Sequence, residues 1–187
     1  MYSGKTEELI RRIRRAQYAR LPVVVFKPTI DDRYSQDSVG SHSGQRLRSF
    51  QVHKSEEIPP LVGDAAVVGI DEAQFFDANL PEVVERLANR GIRVVVAGLD
   101  MDYRGKPFGP MPELMAMAED VKKLPAICVV CGAPATRSQR VSASEEQVLV
   151  GAHDSYEARC RAHHRPEAEN PLLAKQPWRA AETQASH

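Results

Sequence analysis

Three groups of residues have the types and spacing to do chemistry. The first is Gly4-Lys5-Thr6. It matches the end of a phosphate-binding loop, G-x-x-x-x-G-K-[ST]. There, backbone N–H groups wrap the phosphates, the lysine reaches the β- and γ-phosphates, and the hydroxyl binds Mg2+. A helix should start here, and its amino end favours the anion. Ser3 stands inside the same loop. The second group is Asp71-Glu72, which closes the apolar run Ala65–Ile70. Acids at the carboxyl end of a parallel strand face the crevice where such folds bind ligands. An ordinary strand end followed by a polar turn would look similar. The order of the two groups, about sixty-five residues apart, favours a phosphate cradle plus a carboxylate to organise Mg2+.

The third group lies near the carboxyl end. Cys128-Val129-Val130-Cys131 is C-x-x-C and Cys160-Arg161-Ala162-His163 is C-x-x-H. Two such knuckles supply the four N/S ligands of a closed tetrahedral Zn2+ site. The gap between them exceeds the usual spacing of about fifteen to twenty residues. The extra length has room for a hairpin, Ala135–Val141 against Gln147–Val150, and a loop. His164 is the alternative fourth ligand, although it breaks the two-residue spacing; free buried thiols are the other reading.

These residues need elements to position them. Glu7 to about Arg20 has a helical stripe of Leu9, Ile10, Ile13 and Ala16, with Glu7 and Glu8 in the first turn. Its run of Arg11, Arg12, Arg14 and Arg15 reads as a solvated face. Pro22–Lys27, Ala65–Glu72 and Ile92–Leu99 are short β-branched runs without alternation, the mark of strands buried on both faces of a parallel sheet. Pro81–Asn89 is a helix between the last two, with Gly91 as its stop. Met111 to about Val121 is a further helix whose methionines read as core filler. Pro28–Val52 is polar and reads as one long loop, in which His42 has no evident role. Asp100–Gly109 is a loop at a strand's carboxyl end. Its Tyr103 could stack on a base or simply pack. Val148–Tyr156 is small and flexible, suited to a loop that closes over something. The residues from Pro166 onward read as a mobile tail.

Composition narrows the class. The 187 residues suit one domain with a small appendage, and 42% apolar residues suffice for a core. Lys+Arg and Asp+Glu both number 25, so there is no basic excess for nucleic acid or an anionic membrane. No apolar run is long enough to span a bilayer, and no signal peptide opens the chain. Three cysteines, all in the last third, fit a metal site or free thiols in a reducing cytosol better than disulfides.

Read together, Met1–Thr6, Asp31–Ser35, Ile70–Phe76, Leu99–Tyr103 with Lys106–Gly109, and Val150–Tyr156 resemble the motifs of the type II thymidine kinases, the cytosolic and bacterial class. The likeness runs from Met1 to about His163. It implies an α/β fold: a RecA-like P-loop NTPase core with a parallel sheet (residues 1–123), a zinc-ribbon subdomain bearing a lasso loop (124–165), and a tail (166–187). It implies transfer of the ATP γ-phosphate to the 5′-hydroxyl of thymidine, giving dTMP and ADP, with Mg2+ and a structural Zn2+. It also implies a cytoplasmic homotetramer, with neither nucleic acid nor membrane as partner.

Residue roles follow from the same resemblance. Ser3, Gly4, Lys5 and Thr6 would hold triphosphate and Mg2+, and Asp71 would support the Mg2+ shell. Glu72 would be the general base, Arg33 would stabilise the transferring phosphoryl group, and Asp31 would help position that side of the site. Tyr103 stands where the family has an aromatic against thymine. Met1, Leu99 and Tyr156 would crowd its 5-methyl group, while backbone groups of Val148, Leu149, Val150, Gly151 and Ala152 would read the base edge. One departure concerns the start. The first glycine of the phosphate loop would fall two residues before Met1, and its feeding strand before that. We expect both upstream, and weak or no activity from a chain that begins at Met1. The competing expectations are a P-loop nucleotidase or kinase acting on another nucleoside, and a zinc-ribbon P-loop protein that binds nucleotides without turnover.

Overall fold

The computed structural model describes residues 2–29, 38–40, 46–141 and 156–166. The chain enters α1 (Lys5–Tyr18) through Gly4, whose φ of 75° is a left-handed turn that glycine adopts without strain. Glu7 and Glu8 fill the first turn, and Leu9, Ile10, Ile13 and Ala16 are buried, so the helical stripe is the packed face. The helix stops short of Arg20, which takes a positive φ, and Pro22 follows two residues later.

Next come β1 (Val23–Pro28), the antiparallel pair β2 (Ser38–Gly40) and β3 (Arg46–Arg48), and β4 (Phe50–Val52). The expectation of one unbroken loop from Pro28 to Val52 is therefore corrected. β4 lies parallel to β1, with Phe26 opposite Phe50. A three-residue strand in polar sequence carries too little pattern to be read locally, and its pairing with β1 is a tertiary event.

A short helix α2 (Ile58–Leu61) leads to β5 (Val67–Ile70), every residue of which is buried. Then follow α3 (Leu80–Asn89), β6 (Arg93–Val96) and α4 (Met111–Met117). α3 ends at Gly91, whose φ of 81° makes the left-handed stop. α4 ends four residues earlier than the sequence suggests, because Ala118 is extended. The main sheet is parallel, in the order β4-β1-β5-β6.

The two faces of this sheet bury alternate residues. Phe26, Val68 and Ile70 pack with α2, α3 and α4, alongside Leu80, Val83 and Leu87. Val25 and Val67 pack under α1, against Leu9, Ile10 and Ile13. On that face Gly69 lets α1 come close: a Cβ there would lie 3.1 Å from Ile13 Cδ1. β6 was expected to be buried on both faces. Instead it is half-buried and forms an edge among the described residues. Beside that edge runs a groove of about 590 Å3, lined by Val95, Leu9, Met111 and Leu114, with Ser3 and Lys5 also in its wall. Neither Asp71 nor Glu72 lines it, so the groove is an edge feature and not the carboxylate crevice.

The chain after α4 is tied back by charge. Arg12 meets Asp120 at 3.1 Å, Lys122 meets Glu8 at 3.7 Å, and Lys123 meets Asp100 at 3.0 Å. Hydrogen bonding from Arg11, helped by Arg12, holds the Glu8 carboxyl down to about 2 although burial opposes it. Beyond this strap lie β7 (Ala126–Ile127), β8 (Pro134–Ala135), β9 (Arg137–Arg140) and β10 (Tyr156–Arg159). β9 pairs antiparallel with β10, Arg140 opposite Tyr156. The expected partner of Ala135–Val141, Gln147–Val150, lies outside the described residues; among those described, the partner of Arg137–Arg140 is Tyr156–Arg159. Among the described residues no helix is long and apolar enough to cross a membrane.

Candidate active site and metal centre

The sheet ladder continues past β5 and sets its acids in place. Asp71 N–H donates to Phe26 O at 2.9 Å, and Ala73 N–H donates to Ala97 O at 3.0 Å. The acid pair is thus pinned between the carboxyl ends of β1 and β6. α1 crosses the same sheet and delivers its amino end there. Thr6 Oγ1 donates to Asp71 Oδ2 at 3.1 Å, joining two motifs 65 residues apart. Lys5 Nζ lies 3.4 Å from Ser3 Oγ.

Asp71 is only 6% exposed. Burial, reinforced by the neighbouring Glu72 charge, raises its carboxyl from 3.8 to about 7. The Glu72 backbone N–H, Thr6 and Lys5 pull the other way without cancelling it. Among the described residues Lys5 is the cation that acts on this carboxylate, and it offsets only part of the effect of burial. Together with the Thr6 hydroxyl the carboxylate presents the hard oxygen donors that Mg2+ takes, so the residues fit that ion.

Glu72 is half-buried and has φ 50° and ψ 40°, a left-handed backbone that a non-glycine residue adopts at a cost of about 1–3 kcal/mol. Its carboxylate Oε2 accepts from Gln74 Nε2 at 2.6 Å. Gln74 Oε1 in turn accepts from Leu99 N–H at 2.9 Å. The Asp100–Gly109 loop therefore sits directly on the acid motif. Phe75 meets Phe108 edge-to-face at 5.5 Å. Within the loop, Asp102 Oδ1 accepts from the N–H groups of Arg104 and Lys106, both at 2.9 Å.

Tyr103 is buried at 4% exposure, with the Arg140 guanidinium 3.8 Å from its ring centroid. Arg140 also donates to the Tyr156 hydroxyl. One arginine therefore links the two tyrosines that the sequence places fifty-three residues apart. Met1, Asp31, Arg33, Val148, Leu149, Val150, Gly151 and Ala152 lie outside the described residues, as does His42. Sequence reasoning assigned no role to Gln74 or Arg140. Gln74 lies inside the quoted acid motif and was open to discovery. Arg140 carries no local signal.

At the far end, Cys128, Cys131, Cys160 and His163 bring their donor atoms within 4.8 Å of one another. Cys131 Sγ to Cys160 Sγ is 3.8 Å, and His163 Nδ1 is 3.3 Å from Cys160 Sγ and 3.7 Å from Cys128 Sγ. Ligands about 2.3 Å from a tetrahedral zinc stand about 3.8 Å apart, so these four fit that ion. Burial pushes the Cys128 thiol up, but N–H groups of Cys160, Val130 and Cys131 bring it down to about 6, toward the ligating thiolate. The histidine in this cluster is His163, and His164 stands outside it. His164 is buried, and its Nε2 lies 2.8 Å from Tyr103 O, so it braces the loop instead.

A helix amino end facing a buried strand-end carboxylate, on a parallel sheet with an appended Cys3His ribbon, defines a phosphate-loop nucleotide-binding protein of the α/β class. The chain belongs to the thymidine kinase family, whose pattern matches residues 1–164. It is 58% identical over 174 residues to a thymidine kinase of Bdellovibrio bacteriovorus, covering 92% of this chain and 85% of that protein. It is also 58% identical over 166 residues to a thymidine kinase of Rhodothermus sp., covering 89% and 78% respectively.

Proposed function

We propose that this chain is an ATP-dependent thymidine kinase, moving the γ-phosphate of ATP to the 5′-hydroxyl of thymidine to give dTMP and ADP. The observation that carries this is the 3.1 Å contact of Thr6 with Asp71, which places the phosphate-loop ending against the acid pair. Family membership supplies the substrate class.

Gly4, Lys5 and Thr6 take the triphosphate at the amino end of α1, with Ser3 beside the lysine. The N–H groups and the helix dipole there favour the anion, and Lys5 adds a point charge. Thr6 and Asp71 would hold Mg2+, which when bound neutralises charge on the β- and γ-phosphates. Glu72 takes the proton from the 5′-hydroxyl as its oxygen attacks the γ-phosphorus. The bond from that phosphorus to the ADP oxygen breaks. Little covalent chemistry falls to the protein, so positioning carries most of the rate. Arg33 and Asp31 complete the phosphate side by resemblance. Leu99, Tyr103 and Tyr156 wall the base side, with Met1 and the Val148–Ala152 backbone.

Zn2+ would close the two knuckles through Cys128, Cys131, Cys160 and His163 and hold the loop that β9 and β10 flank. On this view residues 1–123 carry the phosphate chemistry, 124–165 the ribbon, and 166–187 a tail. A cytoplasmic homotetramer completes the proposal. The test is ATP- and Mg2+-dependent formation of dTMP by the 187-residue chain and by the same chain carrying its upstream residues, each beside Glu72→Gln. Turnover by the extended chain, weak or none by the 187-residue chain, and none by the Glu72→Gln variants is the expected result. Nucleotide binding without turnover in the extended chain would replace the kinase by a binding protein.

A further inference from the structure

Gln74 is 2% exposed, and its side-chain amide is used at both ends. A backbone N–H can only donate, so the amide oxygen must face Leu99 N–H, at 2.9 Å. That leaves Nε2 aimed at Glu72 Oε2, at 2.6 Å. The orientation is fixed by chemistry. An inverted amide would set two donors against each other at Leu99 and two acceptors against each other at Glu72.

The space around this amide is built to hold it. A Cβ on Gly98 would lie 2.9 Å from Gln74 Oε1 and 2.7 Å from Met111 Sδ. Gly109 has φ +51°, and a Cβ there would run into the main-chain carbonyl oxygen of Gln74, so that glycine lets the loop backbone approach the acid motif. Gly98 is the glycine that leaves room for the side-chain amide. Phe75 and Phe108, packed edge-to-face, hold the adjoining backbone on both sides. Glu72 itself leaves β5 in a left-handed conformation, so its side chain leaves the strand direction and needs an external restraint.

We propose that Gln74 is a positioning residue for phosphoryl transfer. It fixes one oxygen of the Glu72 carboxylate and leaves the other for the 5′-hydroxyl. It also ties that carboxylate to Leu99, where the nucleoside-side loop begins. The same amide thereby couples the position of that loop to the position of the base. This deepens the kinase proposal and rests on Glu72 as the base.

The experiment uses the full chain and three variants, with thymidine phosphorylation measured from pH 5 to 9 and ATP binding measured separately. Gln74→Leu keeps the volume and loses both hydrogen bonds. It should lower kcat by about 10²-fold, the scale of an ångström of misplacement, while leaving ATP binding unchanged. Gln74→Glu places two carboxyl groups where one amide bond stood. They must share a proton, so the acid limb of the kcat profile should move to higher pH. A merely structural glutamine would scale activity down equally at every pH. Glu72→Gln separates the two ideas. Full turnover in that variant removes Glu72 as base. If Glu72→Gln is dead while Gln74→Leu keeps kcat within about twofold, the base stands and the positioning role falls. Should Gln74→Leu fail to fold, the Gln74→Glu profile decides, and an acid limb that does not move overturns the proposal.

Discussion

Asp71 and Glu72 are neighbours in sequence but live in different surroundings. Asp71 is buried and contacts Thr6; Glu72 turns out of the strand toward Gln74. Their substitutions should separate cleanly. Glu72→Gln should cut turnover by about 10²–10⁴-fold, the usual worth of a positioned base, and leave ATP affinity close to wild type. Asp71 adds a stability effect with a definite sign. Its carboxyl sits near 7 when folded, against 3.8 in the free group. A raised folded value gives stability that is complete below about pH 4 and lost as pH rises through 7. Melting temperature without Mg2+ should therefore decline from this group across that window. Mg2+ with nucleotide should restore it, most strongly at the alkaline end. Asp71→Asn should flatten the decline yet abolish phosphorylation; a variant that keeps the wild-type pH dependence of melting would show that another group sets it. Gly109→Ala offers a third test. Its positive φ and the Gln74 carbonyl both oppose a methyl group, so stability should fall by more than about 1 kcal/mol.

At the scale of elements, α1 and the ribbon show two ways of being held. α1 is held by burial: Leu9, Ile10 and Ile13 are each at most 1% exposed and sit on Val25 and Val67. Ile10→Ala should cost about 2–5 kcal/mol, read from denaturant unfolding. Because α1 also carries Lys5 and Thr6, part of that loss should appear as weaker ATP binding. Among the described residues the ribbon has no comparable core. Its buried apolar cluster is Cys128, Ala135 and Ala158, with Ala126 and Cys160 against it. Small residues bury little surface, and the Cys3His cluster beside them fits a zinc ion that would add to the hold on β7–β10. Metal analysis should give about one zinc per chain, and chelation should unfold the ribbon before the sheet. A zinc-free protein that melts as one unit at unchanged temperature would refute the site. His164, bonded to Tyr103 O, carries the ribbon's order into the loop at the acid motif. Chelation should therefore also raise the KM for thymidine.

At the scale of the whole molecule, the fold brings three sequence-distant pieces to one end of a sheet. They are the α1 amino end, the β5 acids and the loop after β6. The ribbon approaches from the side, through Arg140 and His164 on Tyr103. This layout predicts a division of labour. Substitutions on the α1 side should change ATP parameters, and substitutions around Tyr103 should change the nucleoside. Competition with deoxyuridine and deoxycytidine measures the second. A site walled by Leu99, Tyr103 and Tyr156 should favour thymidine over deoxyuridine by about 10–200-fold, the worth of one methyl group in an apolar pocket. Equal use of the two would remove those residues from the base side.

Much of this was legible in the residues alone. The helical stripe of α1, the β-branched runs of β1 and β5, the Gly91 stop and the Cys/His spacing are local patterns with local causes, and each predicts its element within a few residues. The Lys5–Thr6 and Asp71–Glu72 pair was legible because each motif carries its own chemistry. What sequence could not decide were events between distant segments. β4 is three residues long and becomes a strand only because β1 offers it an edge. β10 pairs with β9 because the fold brings the two runs together, and no periodicity within either one announces it. The spacing left His163 and His164 open; in the fold His163 joins the cysteine cluster and His164 lies against Tyr103 O. Gln74 and Arg140 follow the same rule. A residue type states which bonds it can make; only the tertiary structure, by setting which groups share a buried space, decides which bonds it does make.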